Sequence, residues 1–484
     1  MPSSQDYAAL EATTSIEEMT EIKFNQETLR SLKNDELPVL WLCDCDIADD
    51  AGNYHPGSSE ELGWMGHFAK KSAHLGTFGM SGSDFLQNCS ERSIRAFFED
   101  LGKCSYNKLS LMVADLTGVA DKMGPAMKKN SITVWEMEGC YMRAPEANYL
   151  FNAFQGMNNL EKLYFSYADG SDYYLDDGIM ARGIPSLAAC TAMKDLDLWS
   201  LDLGTNSCAA LSAVLPRMAS LRRLSLSGNL IDDNCVEDLV RGLSECKQLH
   251  KLDLENNMIG DDGLALMIEG LPSSVDELKL RWNAITLARQ LSLSRFKILV
   301  LSDNPLSPGG PLVIAASLAD AECLLEELDL RGANIGDEGA AILAESLRDN
   351  RKLFRLSIYA SAGNITEAGW RNAFLPILCN TASANAVHGS NHTLQYLRSH
   401  LPQDIDMFLK LNSNQDKSRV AAEKILQAHR HLDITSLIDR NLELLPYVVM
   451  WFERFAAKSR HVLKLSLIFE SVRATPMDVV LWTG

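Results

Sequence analysis

Apolar residues in this chain recur at offsets that one helix or one isolated strand cannot produce. Between Leu221 and Ile259 a single unit is written twice, first as LRRLSLSGNLI and then as LHKLDLENNMI. Leu221, Leu224, Leu226, Asn229 and Ile231 of the first copy correspond to Leu249, Leu252, Leu254, Asn257 and Ile259 of the second, and Leu226 and Leu254 are 28 residues apart. Anchored on the second residue of the paired apolar positions, the unit recurs at Leu42, Met80, Leu111, Met137, Phe165, Leu198, Leu226, Leu254, Leu280, Leu301, Leu330 and Ile358. The spacing is degenerate early and clean from Leu196 onward. Self-similarity at a period of about 20–29 residues predicts a solenoid, in which each unit packs only on its neighbours.

Each offset predicts a physical role. The L-x-L pair reads as a short strand with both leucines turned inward and the residue between them turned out, because strand side chains alternate. Asn229, Asn257, Asn283 and Asn304, with Cys45 and Cys140 as variants, fall where a side chain must bond turn backbone that is otherwise buried unsatisfied. A Gly–acidic signal follows, Gly260-Asp-Asp-Gly263 before LALMIEGL and Gly336-Asp-Glu-Gly339 before AAILAESL, so Asp261 and Asp337 are expected to cap the next helix. Val236, Leu239 and Leu243 form a single apolar stripe on such a helix.

Three intervals depart from the period. The 38 residues after Leu42 contain AGNYHPGSSEELGW, a Gly/Pro/Ser-rich insertion from Ala51. The 33 residues after Phe165 contain an acidic aromatic loop, Tyr167 to Gly178, and the 21 after Leu280 leave little room for a helix. Residues 1–36 read as an N-terminal cap, 37–397 as the array of about twelve repeats, and 398–484 as a small helical C-terminal cap. In that last region DMFLKL and SRVAAEKILQAHRHL have helical spacing. Trp451, Phe452 and Trp482 are the anchors if the tail docks a partner instead, and the apolar run Leu444 to Phe452 is too short to span a bilayer.

The 28-residue unit, with its N-x-I–G-D-x-G joint, resembles the ribonuclease-inhibitor-like class of leucine-rich repeats. The match runs over roughly residues 37–397 and is best at 221–243, 249–271 and 325–347. The ending, from NHTLQYL at Asn391 through NSNQDKSRVAAEKI to LELLPYVVMWFERF, is similar to the tail of leucine-rich-repeat proteins of diatoms. The resemblance implies an α/β leucine-rich-repeat solenoid, a horseshoe with a parallel concave sheet and convex helices. It also implies a protein that holds other proteins and carries out no catalysis. Few cysteines and irregular early repeats set this chain apart from the inhibitor itself, so ribonuclease is not the expected partner.

Charge and composition narrow the partner. The net charge is -19; residues 395–484 hold 12 Lys+Arg and 10 Asp+Glu, leaving 33 and 54 before them, so the acid lies in the array. Phosphate binding needs clustered Lys and Arg, so nucleic acid is not the expected ligand, and a protein or peptide is. The eleven cysteines show no metal spacing, and the N-terminus has neither basic region nor apolar core, so an intracellular, cytoplasmic protein with no cofactor, metal or membrane is expected, the nucleus remaining open. There is no GxxxxGK[ST], GxSxG or HExxH; His429 and His431 fall on different helix faces, and the acidic run Asp169 to Asp177 lacks the final Glu of a calcium loop.

The candidate site is therefore the concave face, read from residues flanking the inward leucines. It comprises Trp41, Glu136, Glu138, Tyr164, Asp197, Trp199, Asp253, Glu255, Lys279, Arg281, Trp282, Asp329, Arg331 and Tyr359. Outward aromatics and arginines are the residue types that dominate interface hot spots. Trp41 and Trp199 sit where the inhibitor-like class also presents tryptophans. Asp253 and Glu255 stand beside Lys279 and Arg281, so cross-strand pairing accounts equally well for the charges. A non-enzymatic protein-binding scaffold is the expected function. The alternative is a regulator of a small GTPase, of the activating type, using Arg281 or Arg331. A third, a ubiquitin-ligase adaptor, has to use the tail, because 36 residues before the array are too few for a helical adaptor domain.

Overall fold

The structure, a computed structural model, describes residues 7–44, 52–82, 84–127, 131–167, 175–359, 365–398 and 400–428. Cys45, Ile47, most of the acidic loop between Tyr167 and Gly178, His429, His431, the run Leu444 to Phe452, Trp451, Phe452 and Trp482 lie outside the described residues. The chain divides into two units, Met1–Ile285 and Thr286–Gly484.

In the first unit ten strands lie parallel. They are β1 (Val39–Cys43), β2 (Asn53–Tyr54), β3 (Thr77–Ser81), β4 (Lys108–Met112), β5 (Val134–Cys140), β6 (Lys162–Tyr167), β7 (Asp195–Leu198), β8 (Arg223–Ser225), β9 (Lys251–Asp253) and β10 (Glu277–Lys279). Their order is β10-β9-β8-β7-β6-β5-β4-β3-β1-β2. Equivalent residues stand opposite one another: Leu196 faces Leu224, Leu224 faces Leu252, and Leu252 faces Leu278. Every offset of the repeat thus becomes a column running across the sheet. The second unit holds β11 (Ile298–Val300), β12 (Glu327–Asp329) and β13 (Arg355–Ser357), again parallel and in register.

All twelve anchors are at most 2% exposed. Helices alongside the strands supply the other half of the core; in Asp233–Leu243 the stripe Val236, Leu239 and Leu243 is buried. The arrangement is an α/β solenoid. Burying a leucine contributes about 1.5–3 kcal/mol, so columns of them outweigh the weak local preference of three-residue strands.

The asparagine column bonds turn backbone across repeats. Asn257 donates to the carbonyls of Leu226 (3.0 Å), Leu254 (3.1 Å) and Glu255 (3.1 Å), and its Oδ1 accepts from the Ile231 amide (3.0 Å). Asn229 does the same one repeat earlier, donating to Leu198 and Leu226 and accepting from Leu201 and Leu203. Cys140 takes the place with a thiol donating to the Leu111 carbonyl at 3.3 Å.

Helix starts depart from expectation. Asp261 and Asp337 lie inside their helices, Asp261–Gly270 and Gly336–Ser346, and cap neither. The first-turn aspartate reaches forward to the next repeat instead. Asp177 accepts from the amides of Gly204, Asn206 and Ser207, Asp233 from that of Gly260 at 2.7 Å, and Asp337 from the amide and hydroxyl of Thr366. Such a carboxylate serves as N-terminal partner for a helix it does not belong to.

Two more features were not read from sequence alone. The insertion after Leu42 contains a strand, β2, and a helix, Ser59–Ala69. The residue two places after the anchor adopts a left-handed conformation repeatedly, at Gly82, Val113, Gly139, Ser200, Gly228, Asn256 and Trp282 in the first unit and Asp303 and Gly332 in the second. The short interval after Leu280 meets its expectation: residues 286–297 form no helix.

Candidate functional site

The open sheet face is built from three outward columns: three before the anchor, one before it and one after it. Its charges pair mostly across neighbouring strands. In the first unit Lys108 meets Glu136 at 2.7 Å, Lys162 meets Asp195 at 3.4 Å, Arg223 meets Asp197 at 3.2 Å and Lys251 meets Glu277 at 2.6 Å. Lys279 lies 3.4 Å from Asp253 and 3.9 Å from Glu255. Cross-strand pairs of this kind contribute roughly 0.2–1 kcal/mol each. They hold the side chains against the sheet, and the pairing expected for Asp253, Glu255 and Lys279 is present.

Acid still dominates the middle of that face. Burial pushes the Asp197 carboxyl up, and Asp253 and Glu138 push the same way against Ser225 and Arg223. Burial and Asp253 likewise raise Glu255, against Lys279 and Arg281. Burial works to lower the Lys279 ammonium, but Asp253 and Glu255 outweigh it and raise its pKa. Glu138 stands exposed where β5 bulges against β6, between Met137 and Cys140, with Gly139 left-handed. Glu136 also accepts from the Ser110 hydroxyl at 3.0 Å.

Two of the aromatics stand over glycines. Trp41 lies flat across its partner residue Gly79, where any Cβ collides with the indole. Trp199, 47% exposed, leans over Gly228, whose added Cβ would meet the indole nitrogen at 3.1 Å and the Ser200 hydroxyl at 2.6 Å. Gly228 is doubly required, because its φ of +70° also favours glycine. Tyr164 stands half-buried between Glu136 and Asp197, its partners on either side. Trp282 projects 51% exposed, with the Arg281 guanidinium 3.9 Å from its ring.

In the second unit Arg331 grips Asp329 through Nε and Nη2 at 2.6–2.9 Å, which raises its pKa further. Arg355 pairs with Glu327 at 3.3 Å and lies 4.5 Å from the Tyr396 ring. Tyr359 is 49% exposed, with Arg398 5.3 Å from its ring. A shallow depression of about 300 Å³ opens here, with Val300, Asp329, Arg331, Arg355 and Tyr396 in its lining.

Of the expected residues, the first unit holds the eleven from Trp41 on β1 to Trp282 after β10, spread along its strands, and the second holds Asp329, Arg331 and Tyr359. Asp253 is buried beneath its neighbours rather than offered to solvent. The column three before the anchor was missed, as were Leu230 and Met258, four places after it, which are 45% and 52% exposed. Applying the repeat register to outward as well as inward positions identifies both. Among the described residues no group of His, Cys, Asp and Glu could hold a metal, every cysteine is free, and no helix is long and apolar enough to cross a membrane. The end of the acidic run is structural: Asp176 accepts from the Ile179 amide, starting its own helix, and Asp177 holds the next one.

With stacked strands, asparagine columns and lateral helices in place, comparison with known proteins fits the same class. A family model described as leucine-rich repeat matches residues 245–267 and 322–344. Taken with the solenoid, this makes the chain a leucine-rich-repeat protein. No curated protein matches the chain. Among solved structures, an internalin (inlF) from Listeria monocytogenes is similar at 16% identity and a TM-score of 0.39, over 81% of this chain and 98% of the internalin. TLR13, solved as a complex with ssRNA13, is similar at 15% identity and a TM-score of 0.39, over 71% of this chain and 45% of TLR13.

Proposed function

We propose that this protein is a binding scaffold that holds another protein or peptide on the open sheet face of its first unit. The observation that carries this reading is Trp199. A large indole stands half in solvent over a glycine, in space that any side chain at that position would take. Exposed aromatics held this way are characteristic of interface anchors. Glu136, Glu138, Asp197 and Glu255, on or just after strands of the same unit, favour a partner of opposite charge. The reading assigns no cofactor and no catalytic step.

The test is affinity capture from the source cell, with the wild-type chain beside Trp199→Ala/Arg281→Ala, folding being checked by circular dichroism. A protein held by the first and lost by the second is the expected result, and undiminished capture by the variant refutes the use of this face. The GTPase-regulator alternative gains no support from side-chain geometry, because Arg331 is engaged by Asp329 and Arg281 lies on Trp282. Accelerated GTP turnover by a small GTPase would reinstate it.

A further inference from the structure

Four of the first unit's large exposed apolar side chains come from four consecutive repeats. Trp199 follows β7, Leu230 follows β8, Met258 follows β9 and Trp282 follows β10, and all are 45–52% exposed. Backbone bonds tie these loops into one rim. The amides of Ser200, Gly228 and Asn256 donate to the carbonyls of Ser227, Glu255 and Arg281, one repeat on. A second ladder runs the other way, from the amides of Leu230, Met258 and Ala284 to the carbonyls of Leu203, Ile231 and Ile259. The four turns are therefore neighbours at strand spacing, about 4.8 Å, and together span about 15 Å, with Trp199 one place, Trp282 two places and Leu230 and Met258 four places after their anchors.

The backbone at Trp282 adds a second observation. Its φ of +51° falls two places after the anchor, a position filled elsewhere by Gly82, Val113, Gly139, Ser200, Gly228, Asn256, Asp303 and Gly332. Six of these eight are Gly, Asn or Asp, which tolerate the left-handed conformation, and tryptophan, like Val113 and Ser200, does not. Holding it there, half exposed, works against stability, as residues at binding sites often do.

The charge around the strip is one-sided. The connecting stretches 199–204, 227–233, 255–262 and 281–285 contain six Asp or Glu and one basic residue, Arg281. Hydrogen bonds from amides, against a smaller opposing effect of burial, hold Asp232 below the usual carboxylate range, so it is ionised at neutral pH. An apolar patch of that length, lined with anions, matches about three turns of an amphipathic α-helix at about 5.4 Å each.

We propose that the rim formed by Trp199, Leu230, Met258 and Trp282 docks a cationic amphipathic helix of a partner protein. Leucine-like anchors lie along the strip, and Lys or Arg side chains reach the carboxylates on either side. This rests on the scaffold reading and names its partner's chemistry. The helix lies along the rim, across the strand ends.

The experiment titrates the full-length chain with a labelled 18-residue Leu/Lys amphipathic helix, followed by fluorescence anisotropy. A Leu/Glu counterpart and a scrambled Leu/Lys sequence serve as controls. The same titrations are run on Leu230→Ser/Met258→Ser, which alters two exposed side chains and no charge. Saturable binding of the cationic amphipath alone, weakened at least ten-fold by the double substitution and weakened by added salt, is expected. No saturable binding, equal binding of either control, or undiminished binding by the variant overturns the proposal. If capture from the cell depends on Trp199 and Arg281 while the Leu/Lys helix fails to bind, the scaffold reading stands and this inference alone falls.

Discussion

Replacing Asn257 by alanine tests how repeats are joined. The asparagine makes four backbone bonds, but the groups it serves are not equally dependent on it. The Leu226 carbonyl keeps a second donor in Asn229 at 2.9 Å, the Leu254 carbonyl keeps Asn283 at 2.9 Å, and the Glu255 carbonyl keeps the Gly228 amide at 2.9 Å. The Ile231 amide bonds only the Asn257 Oδ1, at 3.0 Å. A buried donor left without a partner costs about 1–3 kcal/mol, and three carbonyls reduced from two donors to one add about 1 kcal/mol. The expected loss is therefore about 2–4 kcal/mol. Urea unfolding followed by tryptophan fluorescence measures it, read from the midpoint at constant slope. Amide exchange locates it, because Ile231 should lose protection ahead of its neighbours. Asn256→Gly, one residue away and exposed at φ +53°, serves as the control and stays within about 0.5 kcal/mol. A loss below 1 kcal/mol, or an Ile231 amide as protected as in the wild type, refutes the reasoning.

Other substitutions probe other parts. Lys424 is buried on the helix Lys417–Ala428, donating to the carbonyls of Leu378 (2.6 Å) and Asn391 (2.9 Å). Burial, aided by Lys417 and Arg351 and opposed by Cys379, pulls its ammonium down to about 7. Between pH 7 and about 10.4 the unfolded chain then holds a proton that the folded chain has released, so this group makes stability rise with pH, by at most about 1.4 kcal/mol per unit. Neutral lysine still has two N–H groups for its two carbonyls. Lys424→Met should flatten the rise in urea midpoint between pH 7 and 9, and an identical slope in both chains rejects the assignment. Asp177→Ala removes the partner of three amides at the start of Thr205–Val214 and should cost about 2 kcal/mol at pH 7. Burial pushes that carboxyl up, but Ser207, Gly204 and Asn206 together hold it below its ordinary value. Its contribution is therefore complete above about pH 4 and lost as pH falls through the folded value, and the deficit of the variant should shrink in acid. Trp282→Asn relieves a left-handed tryptophan at the cost of the Arg281 stack, two effects of about 1 kcal/mol each. Stability should hold within about 1 kcal/mol while the Leu/Lys helix binds more weakly; a larger loss of stability contradicts the rim as described.

The inward half of this protein was legible from sequence because its period is strict. Leucines at fixed offsets specify strand direction and register together, and the asparagine after each pair could be assigned from the unsatisfied backbone it must serve. Where the rule depends on a neighbour rather than on the repeat itself, sequence reading failed. Asp261 and Asp337 carry the composition of a helix cap, yet neither caps its own helix, and what a first-turn carboxylate bonds is decided by the adjacent repeat, as Asp177, Asp233 and Asp337 show. β2 escaped notice because two residues have no periodicity, and the evidence for it lies in Asn25 and Thr28, some 25–30 positions upstream. Outward residues are the least constrained by packing. Trp199 and Arg281 stood out by type, whereas Leu230 and Met258 look ordinary until the strands are stacked.

The two residues of β2 have a consequence for how the protein behaves in a crowded solution. A sheet of parallel strands exposes unpaired backbone at its ends, and such an edge is a template on which another chain can add a strand. Here the last strand is only Asn53–Tyr54, and its Asn53 carbonyl already accepts from the Thr28 hydroxyl at 2.8 Å. Just beyond it Asn25 closes both backbone groups of His55, donating to its carbonyl at 2.7 Å and accepting from its amide at 2.9 Å. The helix Lys23–Lys33 thus puts side chains where a foreign strand would put its backbone. Resistance to end-to-end polymerisation at this edge depends on a threonine and an asparagine that belong to no strand.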